Sequence, residues 1–255
     1  MSISIDIGWL LATLLIGVRV TSAFMLVPVL GPAQIPPVAK IVLVLTLSAM
    51  LVSYLPATTL NVDWGVAGLA VAAAGEAFVG AAFAFGFIVA YAATHFAGRV
   101  LDIQMGFGAA NVLNPTTQTS SPLIGSVLGM VAVAVFLSLN GHHVLIKALA
   151  LSTQSAPIGD AWTHVDLVAL MRHSTLLFSF GLALSAPVMF ALLLADVAMA
   201  VFARSMPQLN VFVLSFAVKI VMGLTGLALA IRFADGVLIP LFERVFRLWA
   251  ATAGA

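Results

Sequence analysis

The sequence contains no cysteine and very little charge, and each shortage excludes a class of protein. Without cysteine, the chain has no disulfides, no thiol nucleophile and no thiolate ligands for a metal. Charged residues make up only 7% of the chain, whereas a typical soluble domain has about 25%. The basic residues are not clustered, so we expect no nucleic-acid partner, because binding to phosphates needs a basic patch.

Apolar residues dominate instead. They make up 63% of the 255 residues and give a mean hydropathy of +1.20. A soluble fold of this size has too little interior to bury so much apolar surface, so lipid or neighbouring subunits must cover it. We therefore predict an all-α membrane protein. A membrane-spanning helix needs about 20 apolar residues, and six stretches qualify: residues 7–29, 41–62, 77–98, 123–146, 173–195 and 209–231.

Several of these spans contain residues that bend helices or bring them together. Pro187 lies inside the fifth span, where its missing N–H predicts a kink. Small residues in and before the third span, such as Gly75, Gly80 and Gly86, allow helix backbones to approach closely. The pattern does not tell whether these helices pack within the chain or against another subunit.

Two connections between the spans are long. Residues 99–122 include a polar, uncharged stretch from Asn114 to Pro122 that is bounded by prolines. Residues 147–172 contain Asp160, Asp166 and a Pro-Ile-Gly sequence. The second connection is typical of an aqueous loop with a turn and a short helix.

The end of the chain, residues 236–251, is predicted to be an amphipathic helix. Apolar side chains such as Leu238, Leu241 and Val245 recur on one helical face, and Glu243 lies on the other. The apolar face would lie either in the membrane interface or on a partner protein, and the sequence does not decide between the two. We otherwise treat residues 1–255 as a single membrane-associated helical subunit.

Four charged residues, Arg19, Glu76, Asp196 and Lys219, lie in or beside apolar spans. Ionisable groups at membrane depth are costly and usually face a partner or water. They could form a proton or ion pathway, or they could form structural ion pairs at packed interfaces. Their irregular spacing favours the second interpretation, so we predict that they are buried polar or assembly residues.

No arrangement of residues predicts catalysis or cofactor binding. His142 and His143 are adjacent, so on a helix they point about 100° apart and do not share a ligand face. The sequence has no His-Glu-x-x-His, no nucleophile elbow and no glycine loop of the kind that binds phosphates. We therefore expect a protein that is not an enzyme, with no catalytic residues, no metal and no cofactor.

The sequence also contains an ordered series of short motifs. The series begins with Arg19, Pro-Val-Leu-Gly at 28–31, Ile-Pro at 35–36 and Lys40, and continues with Gly75-Glu76, Gln-Met-Gly-Phe-Gly at 104–108, Asn114-Pro115, Phe-Leu-Ser-Leu-Asn-Gly-His at 136–142, Pro-Ile-Gly at 157–159, and Pro-Gln-Leu-Asn-Val-Phe at 207–212 with Lys219. Together these motifs resemble the family of the flagellar biosynthetic protein FliR and its virulence-type counterparts in type III secretion. The resemblance extends from residue 19 to about 219. Many flagellar members have Asp where this chain has Asn114, which removes a charge here.

The resemblance implies a structural subunit of the flagellar type III protein-export gate, forming part of the channel for unfolded export substrates. Such a subunit is bent and proline-broken, and it assembles with two smaller gate-protein types in several copies into a helical pore complex. The other implied partners are the export switch protein, the unfolded substrates and membrane lipid. The implied location is the bacterial inner membrane at the flagellar basal body, partly projecting to the periplasmic side. Neighbouring subunits would then cover some helices, so six spans would overcount the true membrane crossings.

The resemblance also implies a loop that plugs the resting channel. By its motifs the loop comprises Gln104, Met105, Gly106, Phe107 and Gly108 and continues through Asn114 and Pro115 to about Pro122. Glycines would let the loop move, and we expect Met105 and Phe107 to fill a constriction.

The alternative function is that of a stand-alone secondary transporter that uses the intramembrane charges Glu76, Asp196 and Lys219. Transporters of that kind usually contain an internal repeat with matching broken helices. The two halves of this sequence show no convincing match.

Overall fold

The computed structural model describes residues 7–27, 36–54, 65–107, 122–159, 165–206 and 210–254. Within these ranges the chain forms nine α-helices, which confirms the predicted all-α membrane class. The helices are α1 (Ile7–Met25), α2 (Pro37–Ser53), α3 (Val66–Gln104), α4 (Leu123–Ser138), α5 (Gly141–Ser155), α6 (Leu167–Ser174), α7 (Leu176–Ser205), α8 (Val211–Arg232) and α9 (Asp235–Thr252).

Four of the six apolar spans are helices long and apolar enough to cross a membrane. They are α1, α3, the run Leu167–Ser205 that contains α6 and α7, and α8. Helices α4 and α5 form one further apolar stretch that is bent by 64°. Helix α2 has only 17 residues. The described residues thus provide four or five candidate crossings, because one predicted span is broken and another is short.

The break between α4 and α5 falls at Asn140. This residue has φ of 54° and ψ of 31°, a left-handed conformation that asparagine tolerates better than most residues. Its carbonyl oxygen accepts hydrogen bonds from the backbone N–H groups of His143 and Val144, which starts α5 in a new direction. The sequence predicted an unbroken span here because hydropathy does not register a change of direction.

One further expectation, for the connection that follows the fourth span, differs from the structure. Helix α5 continues to Ser155 and buries Leu149 and Ser152, so the prediction of an aqueous loop that begins at Lys147 is wrong for residues 147–155. The short helix expected in that connection is α6. Helix α7 runs through Pro187 to Ser205, and the kink predicted at this proline stays a prediction.

The chain forms two compact units that interleave along the sequence. The first unit consists of Met1–Ile88, Asn140–Ser174 and Glu243–Ala255, and α1 packs against α2 within it. The second unit consists of Val89–Leu139 and Thr175–Phe242, and α7 packs against α8 within it. Two boundaries between the units fall inside helices. The boundary after Ile88 lies in α3, and the boundary after Phe242 lies in α9.

Helix α9 is the amphipathic helix predicted over 236–251, and part of its apolar face packs on the chain itself. In the first unit Trp249 is fully buried, and its indole Nε1–H donates a hydrogen bond of 2.7 Å to the carbonyl oxygen of Phe83. Gly86 lies directly under the Trp249 ring. We expected the apolar face to lie in the membrane interface or on a partner protein. This part of α9 instead packs on the chain itself.

Candidate functional site

The first candidate site is a buried ion pair between Arg19 on α1 and Glu76 on α3. The guanidinium Nε lies 2.5 Å from the carboxylate Oε2, and neither residue has any exposed surface. Burying two charges is costly unless they are paired and their remaining hydrogen-bonding groups are satisfied. The surroundings of this pair meet that condition.

The second shell of hydrogen bonds comes from α5 and the turn that follows it. Arg19 donates through Nη1 to the hydroxyl of Ser152 at 3.0 Å and through Nη2 to the carbonyl oxygen of Ala156 at 3.2 Å. The other carboxylate oxygen of Glu76 accepts from the backbone N–H of Gly159 at 3.3 Å. Three separate stretches of the chain therefore meet at this one pair.

Gly80 allows α1 and α3 to come close enough for the pair to form. It lies one turn after Glu76 on α3 and faces the Arg19 carbonyl oxygen and the Ser22 hydroxyl. A methyl group at this position would collide with both atoms. Small residues at helix contacts have this role in membrane proteins. Among the described residues, the pair, its hydrogen bonds and the glycine form an enclosed contact of the structural kind.

The second candidate site is the ion pair between Asp196 on α7 and Lys219 on α8. The ammonium Nζ lies 2.7 Å from Oδ1 of the carboxylate, while the two side chains keep 24% (Lys219) and 42% (Asp196) of their surface exposed. The pair therefore connects two helices of the second unit while remaining accessible from outside the chain. The structure thus places the four predicted charges in two pairs, one sealed and one open.

The third candidate site is the root of the predicted plug loop, where α3 ends. Gly106 has φ of +86°. Its N–H donates to the carbonyl oxygen of Ile103, and the N–H of Phe107 donates to that of Asp102. This is the Schellman arrangement, in which a glycine in a left-handed conformation terminates a helix. Gly108, Asn114 and Pro115 of the predicted loop lie outside the described residues.

Met105 at this root packs against α8. It is completely buried, and its thioether lies against Gly223 of α8. Gly106 lies next to it against the ring of Phe216, also on α8. Gln104 and Phe107 are half-buried. Met105 thus anchors the end of α3 to α8, and its predicted part in closing a constriction stays a prediction.

The two ends of the loop are held together at its base by Asp102. This carboxylate on α3 accepts a hydrogen bond of 3.2 Å from the backbone N–H of Ile124, at the beginning of α4. Asp102 thereby caps the start of α4. Pro122, the residue that precedes α4, cannot do so because its side chain has no oxygen. The backbones of Gly98 and Gly125 also meet here without room for a Cβ.

Sequence reasoning missed Ser152, Asp102, Phe216 and Gly223. Gly223 carried a readable signal, because a glycine in an apolar span allows close approach, whereas Asp102 lies 22 residues before the Ile124 N–H that it accepts from. The roles of Ser152 and Phe216 depend on contacts between distant parts of the chain and have no local signature.

Comparison with known proteins gives one consistent family. The sequence pattern described as "Bacterial export proteins, family 1" matches residues 10–247. The flagellar biosynthetic protein FliR of Bacillus subtilis is 32% identical over 82% of each chain. The FliR protein of Escherichia coli is 28% identical over 91% of this chain and 88% of its own.

A virulence-type relative is also found. The surface presentation of antigens protein SpaR of Shigella flexneri is 26% identical over 56% of each chain. Because the family pattern covers nearly the whole chain and the Bacillus subtilis relative matches over most of its length, the protein is a member of bacterial export proteins family 1, the FliR family.

Proposed function

We propose that this protein is a structural subunit of a flagellar type III protein-export gate and forms part of the channel for unfolded export substrates. The observation that carries the proposal is the family match along residues 10–247 to proteins named flagellar biosynthetic protein. The proposed location is the bacterial inner membrane at the base of a flagellum, with part of the chain on the periplasmic side. The subunit acts by shape and sealing, without chemistry of its own.

The distribution of buried surface supports assembly with other gate subunits. In the most apolar 18-residue stretch of α3, 61% is buried within the chain. In the corresponding stretch of α8, only 11% is buried. Large apolar side chains such as Phe178, Phe190 and Leu224 are exposed on α7 and α8. In the proposed assembly these surfaces contact two smaller gate-protein types, the export switch protein or membrane lipid.

The mass of the particle in detergent tests the proposed assembly. We expect the chain, co-expressed with the two smaller gate proteins encoded in the same bacterium, to purify with both as one large stable particle. Expressed alone, it should yield little stable protein. A chain that is stable and homogeneous alone, and that transports a small solute, would instead support a secondary transporter.

We further propose that the segment beginning at Gln104 closes the resting channel, with Phe107, Gly108, Asn114 and Pro115 belonging to the closing part. The Schellman turn at Gly106 supports this, because it ends α3 sharply and releases the chain from the helix. Deleting residues 106–119 should make membranes that contain the gate leaky to small solutes. Background permeability combined with continued export in that variant would exclude the plug.

A further inference from the structure

Residues 245–254, the second half of α9 and the turn after it, contact both α3 and α5 and are named the strap. On α3, the indole Nε1–H of Trp249 donates a hydrogen bond of 2.7 Å to the carbonyl oxygen of Phe83. On α5, the hydroxyl of Ser155 donates one of 2.7 Å to the carbonyl oxygen of Ala253. Trp249 and Ala253 are about one helical turn apart, so the strap bridges the two helices over a short distance.

The ion pair of Arg19 and Glu76 joins the same two helices nearby. Glu76 lies on α3 seven residues before Phe83, so the two positions share one side of that helix, about 10 Å apart. The guanidinium contacts the end of α5 through the Ser152 hydroxyl and the carbonyl oxygen of Ala156. The pair and the strap are therefore two bridges between α3 and the end of α5.

The two bridges meet at consecutive residues, Ser155 and Ala156. The side chain of Ser155 bonds to the strap, while the carbonyl oxygen of Ala156 accepts from Arg19 at 3.2 Å. Ala156 itself is only 2% exposed. A shift of this part of the backbone relative to the strap would move the Ala156 carbonyl oxygen relative to the guanidinium.

The strap fits both helices with little tolerance for movement. Gly254 has φ of +75°, a left-handed conformation that glycine adopts without steric cost. A methyl group on Gly254 would lie 2.7 Å from the Cβ of Ser155, and one on Gly86 of α3 would lie 3.0 Å from the indole nitrogen of Trp249. These close contacts fix the position of α5 relative to α3 at this point.

We propose that the strap positions the Arg19–Glu76 pair: by holding the end of α5 against α3, it keeps the Ala156 carbonyl oxygen within reach of the guanidinium. Trp249 and Gly254 are positioning residues, because they act on the pair through these two helices. A buried pair offsets its desolvation only when its remaining hydrogen bonds are well formed. The proposal concerns the fold of the first unit and does not depend on the export function.

The test compares the effect of Gly254→Ala on the thermal midpoint of the purified protein in two backgrounds. One is the natural chain, and in the other the pair is replaced by Arg19→Met with Glu76→Leu. We expect a fall of about 4 °C in the first and about 2 °C in the second, because without the pair no buried charge depends on the strap. Gly236→Ala, on the same helix with nothing within 4 Å of the added group, is the matched control and should not lower the midpoint in either background.

A second readout follows position 156 directly. The chain has no cysteine, so Ala156→Cys introduces a single thiol whose reaction with N-ethylmaleimide can be followed on the solubilised protein. Labelling should be slow, because the chain itself buries this position. Adding Gly254→Ala should accelerate labelling about fivefold, the factor expected for the loss of one hydrogen bond. Adding Gly236→Ala should leave it within about twofold.

Equal midpoint shifts in the two backgrounds would show that the strap and the pair are independent and would overturn the proposal. Labelling of position 156 that Gly254→Ala leaves unchanged would overturn it as well, and this readout decides if the chain without the pair does not accumulate. Should Gly254→Ala itself not accumulate, Ser155→Ala removes only the hydroxyl that bonds to the strap and takes its place in both measurements. Its control is Thr252→Val, which removes a hydroxyl bonded within α9. None of these outcomes bears on the export gate, whose assembly is tested separately.

Discussion

The two ion pairs of this protein have nearly the same separation and opposite surroundings. Arg19 and Glu76 are 2.5 Å apart, fully buried, and surrounded by hydrogen bonds to Ser152, Ala156 and Gly159. Asp196 and Lys219 are 2.7 Å apart and keep much of their surface exposed. The first pair ties together α1, α3 and the end of α5, whereas the second joins α7 to α8.

The difference shows what each pair can do. A buried charge without its partner is strongly unfavourable, so the first pair cannot open without disrupting the helices around it. A pair that its own chain leaves partly uncovered depends less on the packing of that chain. We therefore expect the fold of the chain to depend more on Arg19 and Glu76 than on Asp196 and Lys219. The following predictions test this contrast, beginning with the largest effect.

Removing one member of the sealed pair should have the largest effect. Arg19→Met or Glu76→Leu leaves a buried charge unpaired and should cost about 3–5 kcal/mol of stability. The measurement is the amount of chain recovered in the assembled gate and the thermal midpoint of that particle. The double variant should be less damaging than either single variant. Normal assembly and an unchanged midpoint in the single variants would contradict the structural role.

Filling the space beside the sealed pair should have the next largest effect. Gly80→Ala places a methyl group against the Arg19 carbonyl oxygen and should cost about 1–3 kcal/mol through overpacking. Gly236→Ala is the matched control, because nothing lies within 4 Å of the added group. It should be neutral or raise stability by up to about 1 kcal/mol. Equal thermal midpoints for the two variants would show that α1 and α3 are not in close contact.

The next prediction concerns the hydrogen bond between the Asp102 carboxylate and the backbone N–H of Ile124. Asp102→Ala removes the cap on Ile124 and should cost about 1 kcal/mol. Asp102→Asn keeps an oxygen that can accept the same hydrogen bond and should cost less. Thermal midpoints of the assembled gate measure both effects. If the asparagine variant were as unstable as the alanine variant, the charge and not the hydrogen bond would be the important feature.

The smallest effect on stability should come from the open pair. Asp196→Asn should lower stability by less than about 1 kcal/mol, because the pair is partly exposed. A large drop in the thermal midpoint would place Asp196 in the same structural class as Glu76 and would remove the contrast between the pairs.

The sequence predicted the fold class and most helices, because apolar length is a direct requirement of membrane crossing. It missed the break at Asn140, although Asn followed by Gly is a recognised turn signal. It also ended a helix too early at Lys147, because a single charge was read as the edge of the membrane. In the structure that lysine is simply an exposed residue on α5.

The candidate sites were less predictable than the fold. The four unusual charges stood out in the sequence, but Arg19 and Glu76 are 57 residues apart, and nothing local shows which charge pairs with which. The packing partner of Met105 was not predicted either. Its contact is with Gly223 on α8, far along the chain, so only the packed structure shows which residue it touches. The glycine stop at Gly106 was readable, since glycine is the usual residue just after a helix end.

Crosslinking of a substrate caught in transit tests the central claim, a channel to which this chain contributes, most directly. A photoreactive amino acid replaces Phe107, the half-buried residue that follows the Gly106 turn, while a stalled unfolded export substrate occupies the gate. We expect Phe107 to crosslink to the substrate, and the same probe at Phe190, which is exposed on α7, to crosslink to other subunits or lipid. Crosslinking of the substrate at Phe190 and not at Phe107 would contradict this account of the channel.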